Sequence, residues 1–522
     1  MLRRDRNQRR LMITDSVTLN HQTPERLSAF LRKIRVNMSK DKNKKSVLKN
    51  SAIVVTGQFG SIFLKFFSNI ILAWFLTPDA FGIAAIVITV FIGLTLLSDV
   101  GIGDSIIRNP HGEEPRFLQA AYVLQIGRGI ILFTAIVLIA TPVADFYHEP
   151  ILRDCLIVGG TSLLLDGLYS TKTYVLQRLN QVTPLVVLEL VTQVITSLLV
   201  IAICVFIAPT VWALVLAHVF NAISRLVGSH YIAPLPRAGF SLKNPYYREI
   251  LGFGKWIFLG TLFHYVITQS DKLTYGKLAN ATDLGIYSIS SALTNITLLL
   301  SFSLGMKVLY PMLSETARDA RDLYGEKLRE VLNKVLPLLL AFCILTFAFS
   351  PLFFSLLYKD DYNPAGTTTQ YLALMTWFMV LYDLYQKVPV AYGVPRYTAF
   401  ASFVTSVFRV GLSLIAFQYF GVLGFIFGLA IGSIVGIIII QIWMQQNDIK
   451  AGFKDIPFSL AFIGLALIYY GLKNWLQINT FDLYFAFTIS VIVLSFLYFS
   501  YQDAINQFLA KRRGNAPAIE SL

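Results

Sequence analysis

The amino-acid sequence predicts an all-α integral membrane protein with about fourteen transmembrane helices, built as two parallel six-helix lobes around a central cavity plus two C-terminal helices. Three observations predict it: an apolar composition, apolar runs joined by loops of alternating charge, and an internal repeat that keeps its direction. Of the 522 residues, 55% are hydrophobic and 14% charged, with a mean hydropathy of +0.61. Soluble domains carry nearer a quarter of charged residues. The formal net charge of +14 would point to nucleic acid in a soluble protein, but here the basic residues gather in one set of loops, and nucleic-acid binding is set aside. Cys155, Cys204 and Cys343 lie far apart within apolar runs. Their spacing supports neither a disulfide framework nor a metal site.

A membrane helix takes about 20 apolar residues. That criterion selects runs near 52–76, 80–106, 117–143, 152–173, 183–207, 211–232, 249–276, 283–309, 333–357, 369–392, 397–419, 422–445, 456–472 and 481–500. One set of connections carries Arg108, Arg116, Lys172, Arg178, Arg237, Lys243, Arg248, Arg318, Arg321, Lys327, Arg329, Arg396, Lys450, Lys454, Lys511, Arg512 and Arg513, against Lys277, Lys359 and Lys473 on the other. The positive-inside rule makes the first set cytoplasmic, and an even number of crossings puts both termini there. Residues 1–50 are polar and basic without a signal-peptide core, and read as a cytoplasmic arm drawn to anionic lipid headgroups. Met38 is an alternative start to Met1.

The repeat places FLTPDAFGI (Phe75 to Ile83) beside KLANATDLGI (Lys277 to Ile286). Ser68-Asn69 matches Ser270-Asp271 upstream, and Leu165-Asp166-Gly167 matches Tyr382-Asp383-Leu384 further on. Six helices return each copy to the same side, so the repeats are parallel and related by an axis along the membrane normal. The chain divides into a basic arm (1–50), a first lobe (51–235), a cytoplasmic linker (236–248), a second lobe (249–445), two added helices (446–510) and a tail (511–522).

These motifs, taken with LLSDVGIGDSIIRN, YVLQRLNQVTPLVVLEL (Tyr174 to Leu190), SDKLTYGKLANATDLGIYSISSAL and VLYPMLSE, resemble the oligosaccharide-lipid flippases of the polysaccharide transporter family. That family belongs to the multidrug/oligosaccharidyl-lipid/polysaccharide exporter superfamily. The resemblance covers roughly Lys49 to Gln445, and departs from a strict repeat where Asn69 stands opposite Asp271. It implies a bacterial inner-membrane flippase that moves a polyprenyl diphosphate-linked oligosaccharide by alternating access, for exopolysaccharide, capsule or O-antigen synthesis. Membrane lipids and the polysaccharide assembly machinery are the implied partners.

An ion within the bilayer costs about 2.5–3.5 kcal/mol on insertion scales, so it faces a wet cavity or a partner. Because the first two helices of each lobe line the cleft in the resembled family, Lys65, Asp99, Asp271 and Lys272 are the substrate-cavity candidates. Lys65 either meets an anionic headgroup or pairs with Asp99. Asp99, Asp104 and Asp271 are the candidates for gating or for coupling to H⁺ or Na⁺; no other cofactor is expected. Arg128, Glu189, Arg225, Asp383, Lys387 and Arg409 read as structural charges: Asp383 and Lys387 as a pair four residues apart, Arg128 or Arg225 as braces against Glu189. His218 and His264 read as packing histidines. Gly101 and Gly103 serve either a gate or close packing.

Two other functions stay open: a cation-coupled drug or small-molecule antiporter of the same fold, and a membrane glycan polymerase or ligase. The enzyme needs a catalytic constellation that cannot be assembled from these residues. Asp360-Asp361, the one carboxylate pair in an outward loop, reads as a solvated turn.

Overall fold

The computed structural model describes residues 53–54, 56–99, 101–234, 245–449, 455–476, 478 and 480–512, without the side chains of 252–264, 499 and 503–512. The basic arm with Met38, most of the linker, Lys450, Lys454, the end of the tail and the His264 side chain lie outside the described residues. The described part is helical, without a strand. Nine of its segments are long and apolar enough to cross a membrane.

Helix α1 (56–73) turns tightly into α2 (Pro78–Leu97). The turn explains the first repeat motif: Thr77 is the N-cap, Pro78 opens the helix, and Asp79 lies in its first turn beside the positive end of the dipole. There follow α3 (Ile102–Arg108), α4 (Pro115–Tyr147), α5 (Ile151–Gly167), α6 (Lys172–Arg178), α7 (Thr183–Phe206) and α8 (Val211–Ile232). Helix α9 (Tyr246–Leu278) then leads through the second copy of the turn into α10 (Ala281–Leu304). Here Asn280 caps the helix by accepting from the Asp283 N–H at 2.7 Å.

Beyond α10, a π-turn at Gly305–Leu309 joins α11 (Tyr310–Asp319). In the first repeat the chain breaks at the matching place, between α2 and α3. The rest is α12 (Tyr324–Leu357), α13 (Pro364–Tyr385), α14 (Lys387–Tyr392), α15 (Pro395–Gln446), α16 (Asp455–Leu476) and α17 (Phe481–Arg512).

Helix α15 is two helices folded back at Gly421, whose φ of 57° and ψ of −139° few other residues adopt. Behind the bend a glycine stripe brings the limbs into backbone contact. A Cβ at Gly424, Gly428 or Gly432 would fall 2.1 to 2.5 Å from the Ala416, Ser413 or Arg409 backbone. Small residues let membrane helices pack this closely.

Packing follows sequence order within each half. α4 lies on α5, α5 on α8 and α7 on α8; later, α12 and α10 lie on α13, and α13 on α15. α1 packs along α7, where Ser68 donates to Ser197 Oγ at 2.6 Å. The last two helices flank the second half, where the Trp377 indole donates to Ser459 (2.8 Å) and Tyr470 to Gln370 (3.0 Å). The halves meet chiefly through α2 on α10 and α9 on α2.

Candidate functional site

The repeat motifs themselves join the halves. Gly82 of α2 and Gly285 of α10 face each other so closely that a Cβ on Gly82 would fall 1.8 Å from the Ala281 carbonyl oxygen. One on Gly285 would fall 1.7 Å from that of Pro78. The contact is reciprocal, as a contact across an approximate two-fold axis must be. Around it the same end of the bundle is closed by further bonds between halves. The Trp74 indole donates to the Leu357 carbonyl (2.9 Å), Tyr362 to that of Leu76 (2.8 Å) and Tyr147 to that of Leu273 (3.1 Å). Lys277 donates to the Phe146 carbonyl and lies 3.1 Å from His148. Phe66 stacks on Phe353. This is the sealed end of the bundle.

At the opposite end, contacts between halves run through the start of α9. Asn109 donates to Glu249 at 2.6 Å, and the Tyr246 hydroxyl to Glu114 at 2.9 Å. His111 and then Tyr246, hydrogen-bonded to the Glu114 carboxylate, hold it below the ordinary carboxylate range.

Between these ends, the first half holds a cavity of about 210 Å³ among α2, α4, α5, α6 and α8. Thr95, Gln125, Arg128, Asp166, Tyr169, Tyr174 and Arg225 supply its polar lining. Arg225 pairs with Asp166 at 3.4 Å rather than with Glu189, and lies over the Tyr169 ring. Arg128 does not reach Glu189 either; it donates to Ser98 Oγ (2.9 Å) and the Thr95 carbonyl (2.6 Å). Glu189 is exposed on α7. Both α5 and α7 pack on α8, but it is Asp166, near the end of α5, that comes within 3.4 Å of Arg225, while Glu189 turns outward. Gln125 holds that helix end by donating to the Asp166 and Tyr169 carbonyls.

Lys65 is exposed on the face of α1 that carries Gln58, Ser61 and Ser68, turned away from Phe63, Phe67 and Trp74. It makes no ion pair among the described residues, and the expected alternative partner is occupied elsewhere. Asp99 Oδ1 accepts from the Gly101 N–H at 2.9 Å, closing a local turn. Asp104 is exposed in the first turn of α3. Gly101 carries the positive φ of that turn, and Gly103 lets the Tyr174 ring approach. His218 stacks on Phe91.

In the second half, Asp383 and Lys387 meet at 2.7 Å. Ser301 donates to the other carboxylate oxygen at 2.9 Å, and Gly305 of the π-turn leaves the space that the lysine stem fills. Asp271 accepts from Tyr287 at 2.8 Å, while its Oδ1 is buried without a partner. Arg409, 2% exposed, donates to Ser433 at 2.7 Å and lies within electrostatic reach of Asp271. Lys272, one residue on from Asp271, is half-buried. Among the described residues no group of three His, Cys, Asp or Glu side chains could hold a metal ion.

Asp166 and the lining aromatics do not stand out as intramembrane charges in the sequence. Asp166 was visible only as the repeat partner of Asp383. Nothing in the sequence marks Gln125, Tyr169 or Tyr174 as cavity-lining.

An all-helical bundle whose halves meet at repeated helix turns, with charges inside, is a fold found in membrane transporters. Solved structures share it. A lipid II flippase, MurJ, in an inward closed conformation superposes with a TM-score of 0.65 at 15% identity, over 86% of this chain and 99% of that one. An inward-facing multidrug resistance MATE transporter of the superfamily gives 0.59 at 13% identity, over 74% and 94%. Within this fold, the chain belongs to the polysaccharide biosynthesis protein family, whose pattern matches residues 71–366. A curated relative, the succinoglycan biosynthesis transport protein ExoT of Rhizobium meliloti (strain 1021), is 23% identical over 283 residues, 53% of this chain and 56% of that protein. The match therefore spans about half the length of that relative.

Proposed function

We propose that this protein is a flippase for a polyprenyl diphosphate-linked oligosaccharide, working by alternating access in a bacterial cytoplasmic membrane for polysaccharide synthesis. The observation that carries the reading is the asymmetry of the bundle. One end is sealed at Gly82 and Gly285, while cationic side chains lie in its interior. An amphiphilic cargo would present its sugars and diphosphate to that interior and leave its prenyl tail in lipid. The family name, the succinoglycan transport relative and the lipid II flippase neighbour support the same direction, and these relatives are named as transport or biosynthesis proteins rather than by an enzymatic reaction.

In this reading the chain crosses the membrane fourteen times with both termini in the cytoplasm. The lobes are 51–235 and 249–445, and the sealed end faces outward. Lys65 and Lys272 attract the anionic headgroup by their charge in a low-dielectric cleft. Asp271, with one buried oxygen free, is the residue best placed to couple the cycle to H⁺ or Na⁺; Asp99 and Asp104 are engaged in or near a local turn.

The test is translocation of a fluorescent lipid-diphosphate oligosaccharide in proteoliposomes. Wild-type flipping that falls at least tenfold in Lys65→Ala supports both the function and the cleft. Flipping unchanged by Lys65→Ala keeps the function and removes Lys65 from it. No flipping of any glycolipid, with cation-dependent drug efflux instead, overturns the reading in favour of an antiporter.

A further inference from the structure

We propose that the cavity lined by Arg128 and Arg225 in the first half binds a phosphate-bearing headgroup. Where that headgroup belongs to the cargo, the proposal deepens the flippase reading and rests on it. The site lies inside one half, among α2, α4, α5, α6 and α8, apart from the α2–α10 contact where the halves meet.

Four observations carry it. First, two guanidinium groups face one carboxylate, Asp166, across the cavity lining, so one positive charge lacks a matching negative one there. Second, neither arginine spends its full set of five donors. Arg128 anchors through Nε and Nη2 to Ser98 and Thr95, and no bond from its Nη1 occurs among the described residues. Among the described residues Arg225 has its one acceptor, Asp166, at 3.4 Å, beyond good hydrogen-bonding distance, so a better acceptor can draw it away. Third, the cavity is lined by residues whose side chains can donate to oxygens of phosphate: Arg128 and Arg225 above all, with Tyr169 and Tyr174. Fourth, its volume of about 210 Å³ far exceeds the roughly 30 Å³ that one water occupies in the liquid. The buried Asp383–Lys387 pair closes on itself at 2.7 Å, whereas Arg225 and Asp166 are both partly exposed to the cavity. The Arg225–Asp166 pair stays open around a space.

Asp166 then acts as a stand-in for the ligand. It keeps Arg225 extended toward the cavity and cedes it when a phosphate group with more charge enters. The Tyr169 ring beneath the guanidinium limits where Arg225 can swing.

The experiment measures binding to the purified full-length protein in nanodiscs of neutral lipid, by native mass spectrometry and thermal melting. The probes are farnesyl diphosphate, dioleoylphosphatidylglycerol and, as an uncharged control, farnesol. Arg128→Gln and Arg225→Gln are each expected to weaken the phosphate-bearing probe at least tenfold, Arg→Lys at either position less, and farnesol not at all. Binding should also fall as salt rises. Farnesyl diphosphate responding to the variants makes the site a cargo subsite. Phosphatidylglycerol alone responding keeps the phosphate site and makes a membrane lipid its ligand. Because Arg225→Gln leaves Asp166 unpaired, the double variant Asp166→Asn/Arg225→Gln repeats the measurement in a neutral isostere.

Both phosphate probes binding equally to wild type and to well-melting Gln variants overturns the proposal, as does parallel loss of farnesol. The fluorescent flipping assay is run separately on the same samples. Wild-type flipping with unaltered variants removes the site from the transport cycle and leaves the function, the site itself standing or falling on the binding measurement. Arginine-dependent binding without any flipping keeps the site and removes the function.

Discussion

Asp383 and Lys387 were readable as a pair because residues four apart stack on one helix face. What could not be read is how completely the pair is enclosed: Ser301, Gln386 and the Gly305 backbone surround it. Removing one partner strands the other ion. Asp383→Ala is therefore expected to destabilise the protein by about 3–5 kcal/mol, and the double replacement Asp383→Leu/Lys387→Met by much less. Thermal unfolding of the single and double variants in detergent checks this. Gly82 carries a second consequence at this scale. Its missing Cβ is the condition for the α2–α10 approach, since the nearest atom is backbone and cannot step aside. Gly82→Val is expected to force the sealed end apart, read as a rise in thiol labelling of a cysteine placed at Leu76.

Among the elements, the α15 hairpin and the start of α9 are the most open to test. The hairpin's limbs touch along Gly424, Gly428 and Gly432. Gly428→Leu is expected to cost at least the roughly 1–3 kcal/mol typical of overpacking, because Ser413 backbone stands where the side chain must go; a lowered melting temperature checks it. At α9, Glu114 joins His111 and Tyr246. Its folded-state pKa is depressed, so its contribution to holding α9 is present above the ordinary carboxylate value of about 4.3 and is lost as pH falls through the lower folded value. Quenching of a fluorophore at Asn109 should thus change below about pH 4; Glu114→Gln should remove the acid transition.

For the whole molecule, alternating access demands that the sealed end open once per cycle. A short thiol-specific cross-link between Trp74→Cys and Leu357→Cys, whose wild-type residues are hydrogen-bonded across the halves, is expected to stop transport reversibly. Recovery on reduction, in the proteoliposome assay, separates a locked gate from an unfolded protein. Unimpaired transport by the cross-linked protein would mean that the contact at this end does not open.

The sequence by itself determined the class, because the lipid solvent leaves so few options. Long apolar runs must be helices that satisfy their own backbone, and a repeated helix-turn-helix signature read in one direction implies related halves. Even the turn chemistry was local: Pro78 at the first helical position and Asp79 in the first turn in one copy, and the Asn280 cap on the Asp283 N–H in the other, mark the helix starts. Partner choice was decided by tertiary structure alone. Arg225 and Glu189 looked matched in one dimension, yet α5 brings Asp166 closer. The repeat glycines Gly82 and Gly285 prove to be the contact between halves. Long cationic side chains reach any of several neighbouring helices, so which carboxylate they meet depends on helix rotation and depth. Those are set by close packing of small residues between helices, and no spacing along a single chain encodes them.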